Sequence, residues 1–252
     1  MHSIPFSRIL MATALALGST MALAADITVS AAASLSNAFK ELGQNYESAH
    51  PGDKLLFNFG ASGALLQQLA KGAPVDVFAS ADQETMDSAV QQSLVNRADR
   101  KDFVRNTLVL VVPGDSKQTL TKLEDLTQPG VQRVAIGNPA SVPVGRYTQH
   151  ALETAKLWTA VSPKSIPTQN VRQSLDYVAR GEVDAGFVYS TDAATLKDRV
   201  RIAFTVPLNQ AILYPIARTR DSAHGAEAQR FVDYVLSPAG LAVLQRHGFS
   251  KP

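Results

Sequence analysis

Four joints along this chain share one local chemistry. Each places a small hydroxyl, a Gly, a Pro or an Asn where an apolar strand pattern gives way to an apolar helix pattern. They are Ala33-Ser34, then Gly60, Ser62 and Gly63 in "FGASGALLQQL", Pro143, Val144 and Gly145 in "NPASVPVGRY", and Asn170-Val171 in "TQNVRQSL". Each joint offers the free N–H groups of a helix start and the positive end of a helix dipole. Such ends take up anions, and Gly60 and Gly63 would let backbone approach a ligand closely. The plainer reading is that Ser34, Ser62 and Asn170 are N-caps contributing about 1 kcal/mol each, and that Pro143 only begins a helix. Repetition at the same edge favours an anion or small polar ligand without settling it.

The other reactive residues are less suggestive. With no Cys, the chain has no disulfide, thiolate nucleophile or Cys-ligated metal. The five His are scattered without ligand spacing and read as surface residues. Asp76, Asp82 and Asp192 read as caps or loop solvation rather than metal ligands. Arg146 and Arg172 follow Gly145 and Val171; each either neutralises a bound anion or, on the plainer reading, sits solvated at the rim or pairs behind the site. Tyr189 closes the apolar run "AGFVY" and Trp158 reads as core or lobe surface. "GASGA" around Ser62 is not a G-x-S-x-G elbow and no S-x-x-K occurs, so a secreted serine hydrolase is a remote alternative.

The elements that must hold these joints alternate strand and helix through most of the chain. "DITVSAAA" precedes the helical "SLSNAFKELGQNYESAH", and "VDVFASAD" precedes "QETMDSAVQQ". "RVAIGNPA" precedes "VGRYTQHALETAKLW", and the helical "NVRQSLDYVARGEV" precedes "DAGFVYS". That order predicts parallel sheets with helices on both faces, and ligands of such sheets lie beyond the carboxyl ends of the strands. Two long apolar strands, 106–114 and 211–220, read as crossings between lobes. The chain closes in two helices split at Ser237-Pro238.

At the amino end, Arg8, an apolar run from Ile9 to Leu17 and the sequence Ala22-Leu23-Ala24 read as a secretory signal peptide over residues 1–24, cleaved near Ala24. The run is too short to span a bilayer. Losing Arg8 takes the formal charge from +2 to +1. Without a basic stripe, nucleic acid is not an expected partner. The product expected is an exported, soluble protein of the cell envelope.

"AAASLSNAF", "FGASGALLQQLAKGAPVDVFASAD", "NTLVLVVP", "VPVGRYTQHAL", "SPKSIPTQNVRQSLDYVARGEVDAGFVYSTDA" and "YPIA" together resemble the periplasmic molybdate-binding proteins, the capture components of molybdate ABC importers. The similarity covers nearly the whole chain after the leader, in order and spacing. It implies the type II periplasmic-binding-protein fold: two α/β lobes joined by two crossing segments, with the ligand in the cleft between them. Lobe 1 is expected at 25–104 plus 212–252 and lobe 2 at 105–211. The resemblance assigns the ligand's donors to the Ser34 and Ser62 hydroxyls, the Val144 and Val171 amides and the Tyr189 hydroxyl. Ala is more usual at the Val144 position. The Ala33 and Gly63 amides are possible additions.

The chemistry agrees with such a set. Molybdate near neutral pH carries no proton and only accepts hydrogen bonds, whereas phosphate keeps a proton and wants an acceptor; none of these five residues is Asp or Glu. Donor chemistry alone does not separate molybdate from tungstate, sulfate or thiosulfate. The expectation is a periplasmic, monomeric, non-enzymatic binding protein without cofactor or resident metal. It closes on molybdate or tungstate and delivers it to a membrane permease.

Overall fold

The computed structural model describes residues 25–252, and the expected leader lies outside them. In chain order the elements are β1 (Ala25–Ala32), α1 (Ser36–Ala49), β2 (Asp53–Gly60), α2 (Ser62–Ala70), β3 (Val77–Ala79), α3 (Gln83–Gln91), β4 (Lys101–Asn106), β5 (Leu108–Pro113), β6 (Val134–Gly137) and α4 (Pro143–Thr154). There follow α5 (Trp158–Val161), β7 (Ser165–Thr168), α6 (Val171–Ala179), β8 (Ala185–Tyr189), α7 (Ser190–Thr195), β9 (Val200–Thr205), β10 (Ile212–Arg218), α8 (Gly225–Leu236) and α9 (Pro238–Arg246).

The strands form two five-stranded sheets, ordered β2-β1-β3-β10-β4 and β7-β6-β8-β5-β9. They are mixed, not parallel as the alternation predicts. β1 runs parallel to β2 and β3, while β10 runs antiparallel to β3 and β4. In the second sheet β6 runs parallel to β7 and β8, while β5 runs antiparallel to β8 and β9. The cause is the route of the chain. β5 and β10 are the strands by which it enters each sheet from the other lobe, so they start at the cleft where the parallel strands end. Read as crossings, β5 and β10 each prove to be members of one sheet. The joints between lobes are Thr107 and residues 206–211.

Local sequence explains the elements. On α1, Ala38, Phe39, Leu42 and Tyr46 fall on one buried face at helical spacing, and Phe39 packs edge-on against Phe231 of α8. β6 and β8 are buried throughout, as sheets covered on both faces require. α6 stops at Ala179, short of the helical pattern, because Gly181 turns the chain in the left-handed region at φ 68°. β10 carries Pro215 mid-sheet, and a bulge at Tyr214/Pro215 absorbs its missing N–H. Among the described residues no helix is long and apolar enough to cross a membrane.

Both sheets point the carboxyl ends of their parallel strands at the other lobe. Ala32, Gly60 and Ala79 therefore face Gly137, Thr168 and Tyr189 across one cleft. The cleft is shut: Gly63 N–H of α2 donates to the Ser141 carbonyl of the opposite lobe at 3.0 Å. An added Cβ on Gly63 would lie 2.7 Å from that oxygen.

Candidate functional site

The cavity enclosed where the lobes meet is lined by Ser34, Ser62, Val144, Val171 and Tyr189, together with Ala32, Ala33, Gly60, Ala61, Ala81, Val142, Pro143 and Asn170. The structure thus brings together all five residues singled out in the sequence. Ser34 and Ser62 come from one sheet, and Val144, Val171 and Tyr189 from the other.

Neither serine is a cap. Ser34 lies in a short 3-10 turn, and no side chain caps that turn, α1 or α2. The Ser34 hydroxyl is instead 2.9 Å from the hydroxyl of Tyr214, and Ser62 Oγ accepts the Ala81 N–H at 3.0 Å. An amide can only donate, so the Ser62 proton is left to point elsewhere. Both serines are buried, at 3% and 0% exposure, and both face the cavity.

Val144 and Val171 contribute main chain. Val144 is the second residue of α4, after Pro143, and Val171 the first of α6, after the Asn170 cap that accepts from Gln173 N–H at 3.1 Å. First-turn amides have no acceptor within their own helix. Gly145 makes the α4 placement possible, because an added Cβ would overlap the Gly137 carbonyl at the end of β6. The Gly63 amide, a possible further donor by resemblance, is spent on Ser141 in this closed state. Gly63 brings the two lobes together rather than backbone to a ligand.

Tyr189 ends β8, is 1% exposed, and its hydroxyl has no hydrogen-bond partner among the described residues. Burial, with Tyr214 adding to it, holds its pKa well above 10, so the phenol stays protonated. A buried, unpaired O–H costs roughly 1–3 kcal/mol. Aimed into a cavity, it marks a place for an acceptor.

The two arginines lie behind the lining, each with a carboxylate. Arg146 reaches across the cleft: its Nε and Nη2 donate to Asp82 Oδ2 at 2.9 and 2.6 Å, and Nη2 also donates to Thr85 Oγ1 at 2.7 Å. Asp82 does cap α3 as expected, and in addition receives this inter-lobe ion pair. Arg172 Nε lies 2.6 Å from Asp192 Oδ1, close in distance but not aligned as a hydrogen bond. Burial, opposed by Arg172, raises the Asp192 pKa to about 6. Asp192 Oδ2 accepts the Tyr189 N–H at 3.3 Å. Asp76 is neither cap nor loop solvation: it is buried and accepts from Thr28 N–H and the Ser222 hydroxyl. A larger groove there includes Asp26, Asp76 and Asp221, carboxylates that would repel an anion.

Sequence reading missed Tyr214 and Asn106, which stand behind Ser34, and Ser141, which meets Gly63. The signal for Tyr214 was a phenol within an apolar strand, since a buried phenol needs a partner.

Two lobes shut on a donor-lined cavity between the carboxyl ends of their strands define a type II periplasmic binding protein. More particularly, the chain belongs to the bacterial extracellular solute-binding protein family, whose model matches residues 27–250. It is 34% identical over 241 residues to the molybdate-binding protein ModA of Escherichia coli K12, covering 92% of each chain. The periplasmic molybdate-binding protein of Azotobacter vinelandii superposes with a TM-score of 0.78 at 23% identity, over 90% of this chain and 99% of that one. The sulfate-binding protein SubI of Mycobacterium tuberculosis H37Rv reaches the same TM-score at 17% identity, over 90% of this chain and 86% of that one. Those last two identities speak to the fold alone.

Proposed function

We propose that this protein captures molybdate, and tungstate with it, outside the cytoplasmic membrane and hands it to the permease of an ABC importer. The observation that carries this is the composition of the cavity: hydroxyls and helix-start amides, an unpaired buried phenol at Tyr189, and no carboxylate among the lining residues. A fully deprotonated tetrahedral dianion satisfies every one of those donors and asks for no acceptor. The similarity to ModA supports the same ligand.

The first lobe is taken as 25–106 plus 212–252, two residues past the expected boundary at 104 because β4 runs to Asn106, and the second as 108–205; they close about the joints at Thr107 and 206–211. The Ser34 and Ser62 hydroxyls bind from one side; the Val144 and Val171 amides and the Tyr189 hydroxyl bind from the other. The anion bridges the lobes and so favours the closed form. The protein works as a periplasmic monomer, freed of its leader near Ala24, and it catalyses no reaction and carries no cofactor. Sulfate is the second reading, because the same donors serve it.

Thermal melting of the protein from residue 25 onward, dialysed free of oxyanion, separates these readings. A ligand selective for the folded state stabilises it by about 4 kcal/mol at a thousandfold excess over Kd, and each kcal/mol moves the midpoint roughly 2–4 °C at this size. Molybdate and tungstate should each raise the midpoint by several degrees, sulfate much less and phosphate almost nothing. An equal shift with sulfate overturns the ligand assignment, and no shift with any oxyanion overturns the site.

A further inference from the structure

Building on the oxyanion reading above, we propose that Asn106 and Tyr214 are positioning residues that force the Ser34 hydroxyl to donate into the cavity. The direction of each hydrogen bond follows from its neighbours. Asn106 ends β4, next to the joint at Thr107. Its side-chain oxygen accepts the Thr107 N–H at 2.9 Å, and since an amide N–H can only donate, the amide orientation is fixed. Its Nδ2 then faces Thr191 Oγ1 at 2.8 Å and Tyr214 Oη at 3.2 Å and donates to both.

Tyr214 Oη, fully buried, therefore already receives a proton. Among the described residues its own proton has one remaining partner, Ser34 Oγ at 2.9 Å. Were Ser34 to donate in this pair, the Tyr214 proton would be buried with no acceptor. So Tyr214 donates to Ser34, and the single Ser34 proton is left for the cavity. Asn106 also accepts from the Ser190 hydroxyl at 3.2 Å. The amide that sets this order therefore touches the opposite lobe through both Ser190 and Thr191, and the chain of bonds Asn106, Tyr214, Ser34 ties the donor's direction to the inter-lobe joint.

Two substitutions act on the relay. Tyr214→Phe keeps the ring and removes the relay. Asn106→Asp keeps the shape and reverses the order: the carboxylate accepts from Tyr214, Tyr214 accepts from Ser34, and the Ser34 proton turns away from the cavity.

Each is measured by calorimetric titration with molybdate in the wild-type chain and in Ser34→Ala, as a double-mutant cycle. Tyr214→Phe should weaken binding about fivefold to fiftyfold with Ser34 present and less than twofold with Ser34→Ala. Asn106→Asp should cost more than Tyr214→Phe with Ser34 present, and in Ser34→Ala only the smaller loss due to its added charge. Apo melting midpoints accompany each variant. If Tyr214→Phe fails to fold, the Asn106→Asp cycle decides alone. Equal losses in both backgrounds would make Tyr214 and Asn106 packing residues and overturn the relay while leaving the oxyanion site intact. A wild-type chain that takes up no oxyanion overturns the functional reading itself, and the relay falls with it.

Discussion

Replacing Gly63 by Ala should weaken oxyanion binding while leaving the empty protein as stable as before or more so. An added Cβ would stand 2.7 Å from the Ser141 carbonyl oxygen and 2.9 Å from its Cα, where ordinary contact begins at 3.4 Å. Both obstructing atoms are backbone of the opposite lobe, so they cannot rotate aside. The available relief is for the lobes to part by about 0.7 Å at this point. The Gly63–Ser141 hydrogen bond, now 3.0 Å, would then stretch beyond useful length. That loses about 0.5–1.5 kcal/mol net. Donors on the two lobes can no longer all reach one small anion, and losing one bond to a charged acceptor costs roughly 1.5–3 kcal/mol more. The sum, about 2–4.5 kcal/mol, weakens binding by roughly thirtyfold to a thousandfold or more at ~1.4 kcal/mol per decade. In the open, empty protein the new methyl meets nothing from the other lobe and replaces a helical Gly, which favours the helix by up to ~1 kcal/mol. Calorimetric titration and apo melting of the same variant should therefore move in opposite directions. Unchanged affinity would refute the argument that bound and closed are the same state. A fall in apo midpoint matching the loss of affinity would show that Gly63 serves the fold rather than closure.

Tyr189→Phe should weaken molybdate binding about tenfold to a hundredfold by titration, since a bond to a charged acceptor is worth roughly 1.5–3 kcal/mol. Its apo midpoint should hold, because the ring that packs against Tyr214 remains and no hydrogen bond to the protein is lost; a lowered apo midpoint with intact affinity would take Tyr189 out of the site. Arg146→Met removes the inter-lobe pair with Asp82 and should weaken binding roughly tenfold, with Arg146→Lys recovering part of it; small-angle scattering with ligand should show the Met variant more extended, and an unchanged profile with unchanged affinity would make the pair incidental. Asp192, with its pKa raised to about 6 against 3.8, holds a proton in the folded chain that the unfolded chain has released between those values. Its contribution to stability is thus fully present below about pH 4 and lost as pH rises through 6. Asp192→Asn, compared with wild type by denaturant unfolding, should look better at pH 7.5 than at pH 4.5, and the reverse trend would refute the assignment.

What the sequence disclosed was whatever is written in consecutive residues. The strand-to-helix joints and the Ser237-Pro238 break lie in short runs whose pattern can be read directly, whereas the roles of the five cavity residues came from the family resemblance those runs carry. What stayed hidden depends on contacts between distant segments. Ser34 meets Tyr214 across 180 positions and Arg146 meets Asp82 across 64; a phenol in an apolar strand asks for a partner without naming it, and Asp82 reads locally only as a cap. The antiparallel β5 and β10 were hidden for a related reason: alternation predicts that strands and helices take turns but says nothing of where the chain changes lobes. Ser34 and Ser62 looked like caps because a Ser before a helix usually is one. Only the three-dimensional neighbours, Tyr214 and the Ala81 amide, show their oxygens already engaged.

The cavity lining carries no formal charge, and the two guanidiniums behind it are each matched by a carboxylate. A dianion held this way faces dipoles rather than a countercharge. Mobile salt ions weaken attraction between separated charges over about a Debye length; they have little to weaken in a buried lining of hydroxyls and amides. The affinity of such a site should change little between dilute and salty surroundings, and a protein exposed to whatever the cell is bathed in has use for that constancy. What such a lining does not supply is long-range pull: the field of dipoles falls off faster with distance than that of a charge, so the lining adds little to the rate at which the anion arrives.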